Sequence, residues 1–147
     1  MRMKIIILAL CVLLVSIFAA ASFVSAEKMT LLAVSESDGK LTGSVADLEI
    51  EVRSGTGRVF LETYPLSKLD TQISTRFAKS VACSHINIDC SRYDFFYSIK
   101  SDSVIVGGPS AGSSIALLTI FKLKNMKYDD KIALTGTINS GGIIGPV

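Results

Sequence analysis

One serine in this chain stands where a nucleophile could. Ser110 lies in Gly107-Gly108-Pro109-Ser110-Ala111-Gly112, after the apolar run Val104-Ile105-Val106 and before an amphipathic segment beginning near Ser113. Glycines at a strand-to-helix junction permit strained backbone angles and close approach of a substrate. The amino terminus of the following helix offers unpaired N–H groups and partial positive charge to a developing oxyanion. The same residues also suit a glycine-rich turn in which Ser110 only caps the helix. Local chemistry leaves both readings open.

Several elements must position that serine. Met29 to Ser35 reads as a first strand, followed by a turn at Ser37-Asp38-Gly39. Leu48, Ile50 and Val52 alternate with Glu49, Glu51 and Arg53, the period of a half-buried strand. Ser54-Gly55-Thr56-Gly57 reads as a hairpin connection to a strand through Val59 and Leu61. Ser67 and Asp70 form an S-x-x-D capping signal, and Leu69, Ile73, Phe77 and Val81 recur every four residues as one helical face. Tyr93 to Ile99 is aromatic and β-prone, with Val104–Val106 as a continuation or a separate strand. The helix after Ser110 turns Ile115, Leu118 and Leu123 inward and stops at Asn125. Ile132 to Ile138 predicts another strand, Asn139-Ser140-Gly141-Gly142 a turn, and Ile143-Ile144 the start of one more. The order predicts an α+β domain, a mixed sheet with helices packed on it.

The 147 residues hold one domain behind a leader. Arg2 and Lys4 precede an apolar stretch from Ile5 to about Val24, and Val24-Ser25-Ala26 offers small residues for cleavage. Residues 1–26 therefore read as a signal peptide, or as an uncleaved signal-anchor, since the run approaches the length that spans a bilayer. Membrane association would run through residues 5–24, and the domain from 27 to 147 is expected to be extracytoplasmic. Arg2 and Lys4 are the only charges in the leader, so the domain carries 13 of each sign. With no basic stripe, nucleic acid is not an expected partner.

Cys11 lies in the leader, leaving Cys83 and Cys90, which in an exported chain read as a disulfide or as two separately buried thiols. Two cysteines and one histidine do not make a zinc site, and no metal or cofactor is expected. His85 with Asp89 or Asp102 could be written into a triad, but reads better as a loop histidine. Lys122 and Lys124 lie about 15 Å or more along the serine helix, beyond hydrogen-bond reach. Lys127 reads as a solvated charge, and Lys131 has no pattern in its favour. Tyr93, Phe95, Phe96 and Tyr97 suit strand core better than a substrate wall, and Thr137-Ile138 could offer an edge to an extended peptide.

A second motif gives the serine a partner. Ala133-Leu134-Thr135-Gly136-Thr137-Ile138 is followed by Gly141-Gly142-Ile143-Ile144-Gly145-Pro146-Val147, and Thr135 lies 25 residues beyond Ser110. The pair resembles the proteolytic domain of Lon-type serine proteases, strongly from about Asp102 to Val147 and more weakly from Gly43 to Phe77. It is most similar to archaeal Lon-like proteases that are exported and carry no ATPase module, and no G-x-x-x-x-G-K-[ST] phosphate loop occurs here. The resemblance implies the Lon proteolytic fold, similar to a ribosomal-protein domain and incomplete at its carboxyl end. It makes Ser110 the nucleophile and Thr135 the hydroxyl that orients a catalytic lysine, and puts the backbone of Gly108, Pro109, Ser110 and Ala111 near the oxyanion.

The chemistry so implied is a Ser-Lys dyad hydrolysing peptide bonds, with a lysine neutral enough to take the serine proton. That lysine would lie roughly forty residues after the serine, beyond Val147. Two other positions depart from the family pattern: Gly107 stands where an acidic residue is common, and Thr137 where a glutamate is. The expected function is an exported, ATP-independent serine endopeptidase acting on polypeptides, with a homo-oligomer left open. The rival is a non-catalytic exported binding or assembly domain on the same fold. A metabolite-kinase relative is a weaker third, because the leader sends the domain away from ATP.

Overall fold

The computed structural model describes residues 26–37, 39–129 and 131–147. The leader up to Ser25, Cys11 within it and Asp38 of the first turn lie outside the described residues. The fold is α+β. Five strands, β1 (Glu27–Ser37), β2 (Lys40–Ser54), β3 (Val59–Ser67), β4 (Tyr93–Val106) and β5 (Ala133–Leu134), form one mixed sheet in the order β3-β4-β2-β1-β5. Two helices, α1 (Leu69–His85) and α2 (Gly112–Lys124), pack on it. A two-stranded ribbon, β6 (Thr137–Ile138) and β7 (Ile144–Gly145), follows.

Strand alternation decides which face the helices cover. Register places Met29 beside Leu48 and Leu48 beside Ile99, and Ile50 beside Tyr97. These side chains are buried against Ala78 and Ala82 of α1 and Ile115 and Leu118 of α2. Removing Ile115 or Leu118 from water is worth about 1.5–3 kcal/mol each. The opposite face carries ion pairs, Lys28 with Asp47 at 2.9 Å and Lys100 with Glu49 at 3.5 Å, and the Phe60–Phe96 stack at 4.6 Å. Of the aromatic cluster, Phe95 and Tyr97 are core, and Tyr97 donates its hydroxyl to Thr119 Oγ1 at 2.8 Å.

Several local expectations are corrected. β2 and β3 are not paired as a hairpin: β4 lies between them, antiparallel to β2 and parallel to β3. The Ser54–Gly57 loop instead crosses the start of β4, where Asp94 fastens it. Asp94 accepts from the Thr56 and Arg58 N–H groups at 2.8 and 3.0 Å and from the Arg58 guanidinium at 2.8 Å. Gly55 is required there, because a Cβ would fall 2.2 Å from Asp94 Cγ. Ser67 does not cap α1: Lys68 holds that position and Asp70 turns to other partners. Of the stripe, Leu69, Ile73 and Phe77 face outward (69, 44 and 43 % exposed) and only Val81 packs against the core, while Thr71, Ser74, Thr75, Ala78 and Ala82 face inward. That face meets α2 and the serine turn, where Thr71 and Ser74 hydrogen-bond the Gly108 and Pro109 carbonyls.

Other expectations hold. α2 buries Ile115 and Leu118, and ends at Asn125 in the left-handed region (φ 50°). Cys83 and Cys90 form a disulfide with Cα atoms 6.0 Å apart, tying the end of α1 to the turn before β4. β4 runs through Val106 as one strand. No helix among the described residues is long and apolar enough to cross a membrane.

Candidate functional site

Ser110 sits in a short 3-10 turn, Pro109–Ala111, between the end of β4 and the first residue of α2. Gly108 before it adopts φ 95° and ψ 151°, a conformation that only glycine takes without strain. Pro109 then sets the first helical residue, where its missing N–H costs nothing. Gly112, the last residue of the motif, is a packing requirement. A Cβ there would lie 2.7 Å from Ser74 Oγ and 2.8 Å from Ile138 Cγ2.

The Thr135-Gly136 segment meets this turn directly. The stretch Ile132–Ile138 does not run as one strand, because its middle leaves the edge of β1 and binds the serine loop. Gly136 N–H donates to the Ser110 carbonyl at 2.8 Å, and Ser113 N–H donates to the Gly136 carbonyl at 3.0 Å. Ser114 Oγ donates to the Leu134 carbonyl at 2.5 Å. Gly136 permits the approach, since a Cβ would stand 2.9 Å from Ser113 Oγ and 3.0 Å from Ile144 Cγ2. Ser113 Oγ is itself buried, with no hydrogen-bond partner among the described residues.

Ser110, Ala111, Thr135, Gly107 and Gly108 line one cleft of about 260 Å³. Its floor is apolar: Leu31, Ala46, Ile99 and Val106 contribute. Four successive residues of β1, Leu31 to Val34, line it. Leu31, Ala46 and Ser101 are register neighbours on β1, β2 and β4, so the cleft lies over one face of the sheet, and by taking in Leu32 to Val34 it reaches the edge of β1. β5 occupies that edge only opposite Thr30 and Leu31. Thr137 and Ile138, by contrast, pair with Gly145 and Ile144, so the edge beside Ser110 belongs to β1.

Among the described residues no lysine, histidine, aspartate or glutamate side chain lines this cleft. Lys68 comes near, its stem crossing Gly107, where a Cβ would fall 2.7 Å from the Lys68 Cδ. The lysine amine whose pKa burial lowers is Lys79, but it stands over the Phe95 ring at 5.0 Å and donates to the Gly57 carbonyl. It lies five residues beyond Ser74, the last α1 residue to touch the serine loop, about 7–8 Å further along the helix. Lys122 Nζ is 4.0 Å from Glu27 Oε1, and Lys124, Lys127, Lys131 and His85 are exposed.

Three side chains of α1 hold the serine loop from the other side. Asp70 Oδ2 accepts from Gly108 N–H at 3.2 Å, Thr71 Oγ1 donates to the Gly108 carbonyl at 3.3 Å, and Ser74 Oγ donates to the Pro109 carbonyl at 3.2 Å. Of the backbone positions around Ser110, Pro109 has no N–H and that of Gly108 is thus taken. The sequence marked Asp70 only as a capping residue. Thr71 and Ser74 carried no signal beyond being polar on what became the buried face.

A scan of protein-family models finds no match for this chain, and a search of curated proteins finds none either.

Proposed function

We propose that this chain belongs to an exported, ATP-independent serine endopeptidase of Lon type, with Ser110 attacking peptide carbonyls. The observation that carries the reading is the double backbone hydrogen bond between the Ser110 turn and Thr135-Gly136, beside an apolar cleft that reaches an open strand edge. Two motifs 25 residues apart are brought into one site by it. An open strand edge suits an extended polypeptide, whose main chain can pair with it while apolar side chains enter the cleft.

In the proposed reaction the Ser110 hydroxyl loses its proton to a neutral lysine amine and attacks the carbonyl carbon. The oxyanion faces the start of α2, where the Ser110 and Ala111 N–H groups and the helix dipole favour negative charge. The amine leaves with the proton, and water releases the acyl group from Ser110. Thr135 holds the lysine. The proposed lysine is the one that the Lon-type pattern sets after Thr135; among the described residues no lysine lines the cleft. That same observation favours the second reading, an exported binding or assembly module on this fold that grips an extended peptide without cleaving it.

Incubation of the full natural chain with a fluorophosphonate probe separates the two. Labelling at Ser110, and loss of peptide cleavage in Ser110→Ala, are the expected results. An unlabelled Ser110 with tight peptide binding would establish the binding module instead.

A further inference from the structure

We propose that Asp70, acting with Thr71, is the positioning residue for Ser110: the two side chains clamp the Gly108 peptide and thereby fix the turn that carries the nucleophile. The proposal rests on the reading of Ser110 as nucleophile. Gly107 and Gly108 have the widest backbone freedom of any residues, and they stand immediately before the turn. Left to themselves they would let Ser110 wander. A misplacement of about 1 Å in a reacting group can cost on the order of a hundredfold in rate.

The clamp is built from the first turn of α1. Asp70 Oδ2 takes the Gly108 N–H at 3.2 Å, while Thr71 Oγ1 gives its proton to the Gly108 carbonyl at 3.3 Å. The peptides on both sides of Gly108 are therefore held, one at its N–H and the next at its oxygen. Asp70 is itself oriented, because its Oδ1 accepts the Thr71 N–H at 2.7 Å. Thr71 is buried, and its hydroxyl has two acceptors in reach, the Gly108 carbonyl at 3.3 Å and Asp70 Oδ1 at 3.4 Å, which ties the two clamp residues together. Further along, the Pro109 carbonyl is held by Ser74 Oγ and the Ser110 carbonyl by Gly136 N–H. The carbonyls of Gly108, Pro109 and Ser110 are all engaged, from α1 on one side and from Thr135-Gly136 on the other. What the arrangement leaves to move is the Ser110 side chain.

A structural role alone predicts lost stability; a positioning role predicts lost turnover in a folded protein. In the full natural chain, Asp70→Ala is expected to lower kcat and the rate of fluorophosphonate labelling at Ser110 by roughly tenfold to a hundredfold. KM for a peptide should stay within about twofold, since Asp70 does not line the cleft. Asp70→Asn keeps an acceptor oxygen for Gly108 and should restore most of the rate. Adding Thr71→Val to Asp70→Ala should cost little more than the worse single change, because both act on one residue, Gly108, from its two sides. If the wild type is labelled and Asp70→Ala is labelled equally fast, or its loss lies wholly in KM, or Asn does not restore it, the clamp is refuted and the nucleophile reading stands. If Ser110 of the wild type is not labelled at all, the nucleophile reading falls and takes the clamp with it. Should Asp70→Ala not fold, Thr71→Ser against Thr71→Val decides: the serine variant keeps the rate and the valine variant loses it, and equal rates overturn the proposal.

Discussion

Replacing Gly136 by alanine puts a methyl group into the contact that joins the two motifs. Its carbon would stand 2.9 Å from Ser113 Oγ, 3.0 Å from Ile144 Cγ2 and 3.4 Å from Ser113 Cβ. Carbon atoms pack best at about 3.5–4.0 Å, so neighbours must retreat by roughly half an ångström. They cannot do so freely, because the hydrogen bonds at 2.8 and 3.0 Å tie Gly136 to Ser110 and Ser113. Overpacking of this kind costs about 1–3 kcal/mol. Alanine recovers about 0.4–1 kcal/mol by restricting the unfolded chain, since Gly136 does not occupy a positive φ. From the middle of both ranges the net loss is about 1.3 kcal/mol, or about 5 °C in Tm for a domain of roughly 120 residues. Thermal melts followed by circular dichroism, with the disulfide intact, read it. Ser113→Ala removes the nearest atom, and alone it should be neutral or stabilising by up to about 1 kcal/mol, because that hydroxyl is buried without a partner. The double variant should recover at least half of the Gly136→Ala loss. A Gly136→Ala protein melting with the wild type, or a double variant with purely additive losses, would refute the close approach.

Three further outcomes follow from the packing. The Asp94 carboxyl, held at about 2 by the Arg58 guanidinium and the Thr56 and Arg58 N–H groups, lies below its ordinary value of 3.8. A depressed acid contributes stability that is complete above about pH 4 and lost as pH falls toward 2, so the Tm advantage of wild type over Asp94→Asn should shrink across that window, and a constant difference would contradict it. Tyr97→Phe should cost about 1 kcal/mol in urea titration, because the bond to Thr119 is lost while Thr119 still donates to the Ile115 carbonyl at 2.6 Å; a loss above about 3 kcal/mol would mean a stranded polar group. Reducing Cys83–Cys90, seven residues apart, removes about 2.4 kcal/mol by loop-closure entropy. Melts with and without reductant test that figure, and unchanged melting would show that the bridge constrains nothing.

The candidate site was legible in part. Ser110 stands out by residue type and setting, Thr135 through the resemblance to Lon-type proteases, and the structure puts both on one cleft. Asp70 was misassigned because an S-x-x-D pattern reports only local capping chemistry, whereas its carboxylate reaches Gly108, 38 residues away. The outward stripe of Leu69, Ile73 and Phe77 misled for a related reason. Four-residue periodicity identifies a face, but which face is buried depends on what the helix meets. Here α1 meets the serine turn and α2 at close range, which favours Thr71, Ser74, Thr75 and Ala78.

Strand and helix content, the inward residues of β2 and α2, the stop at Asn125 and the glycine-rich serine turn could all be read from local pattern. Each depends on near neighbours in the chain, through alternation, capping and backbone freedom. Insertion of β4 between β2 and β3, departure of Thr135-Gly136 from the edge of β1, and the grip of α1 on Gly108 depend on pairings between distant segments. Local periodicity is the same whether β4 adds outside or between its neighbours, so only burial and hydrogen bonding of the whole chain distinguish the two. Sequence thus determined which serine to consider. Tertiary structure decided what holds it, because the hydrogen bonds that fix its turn join residues 23 or more positions apart.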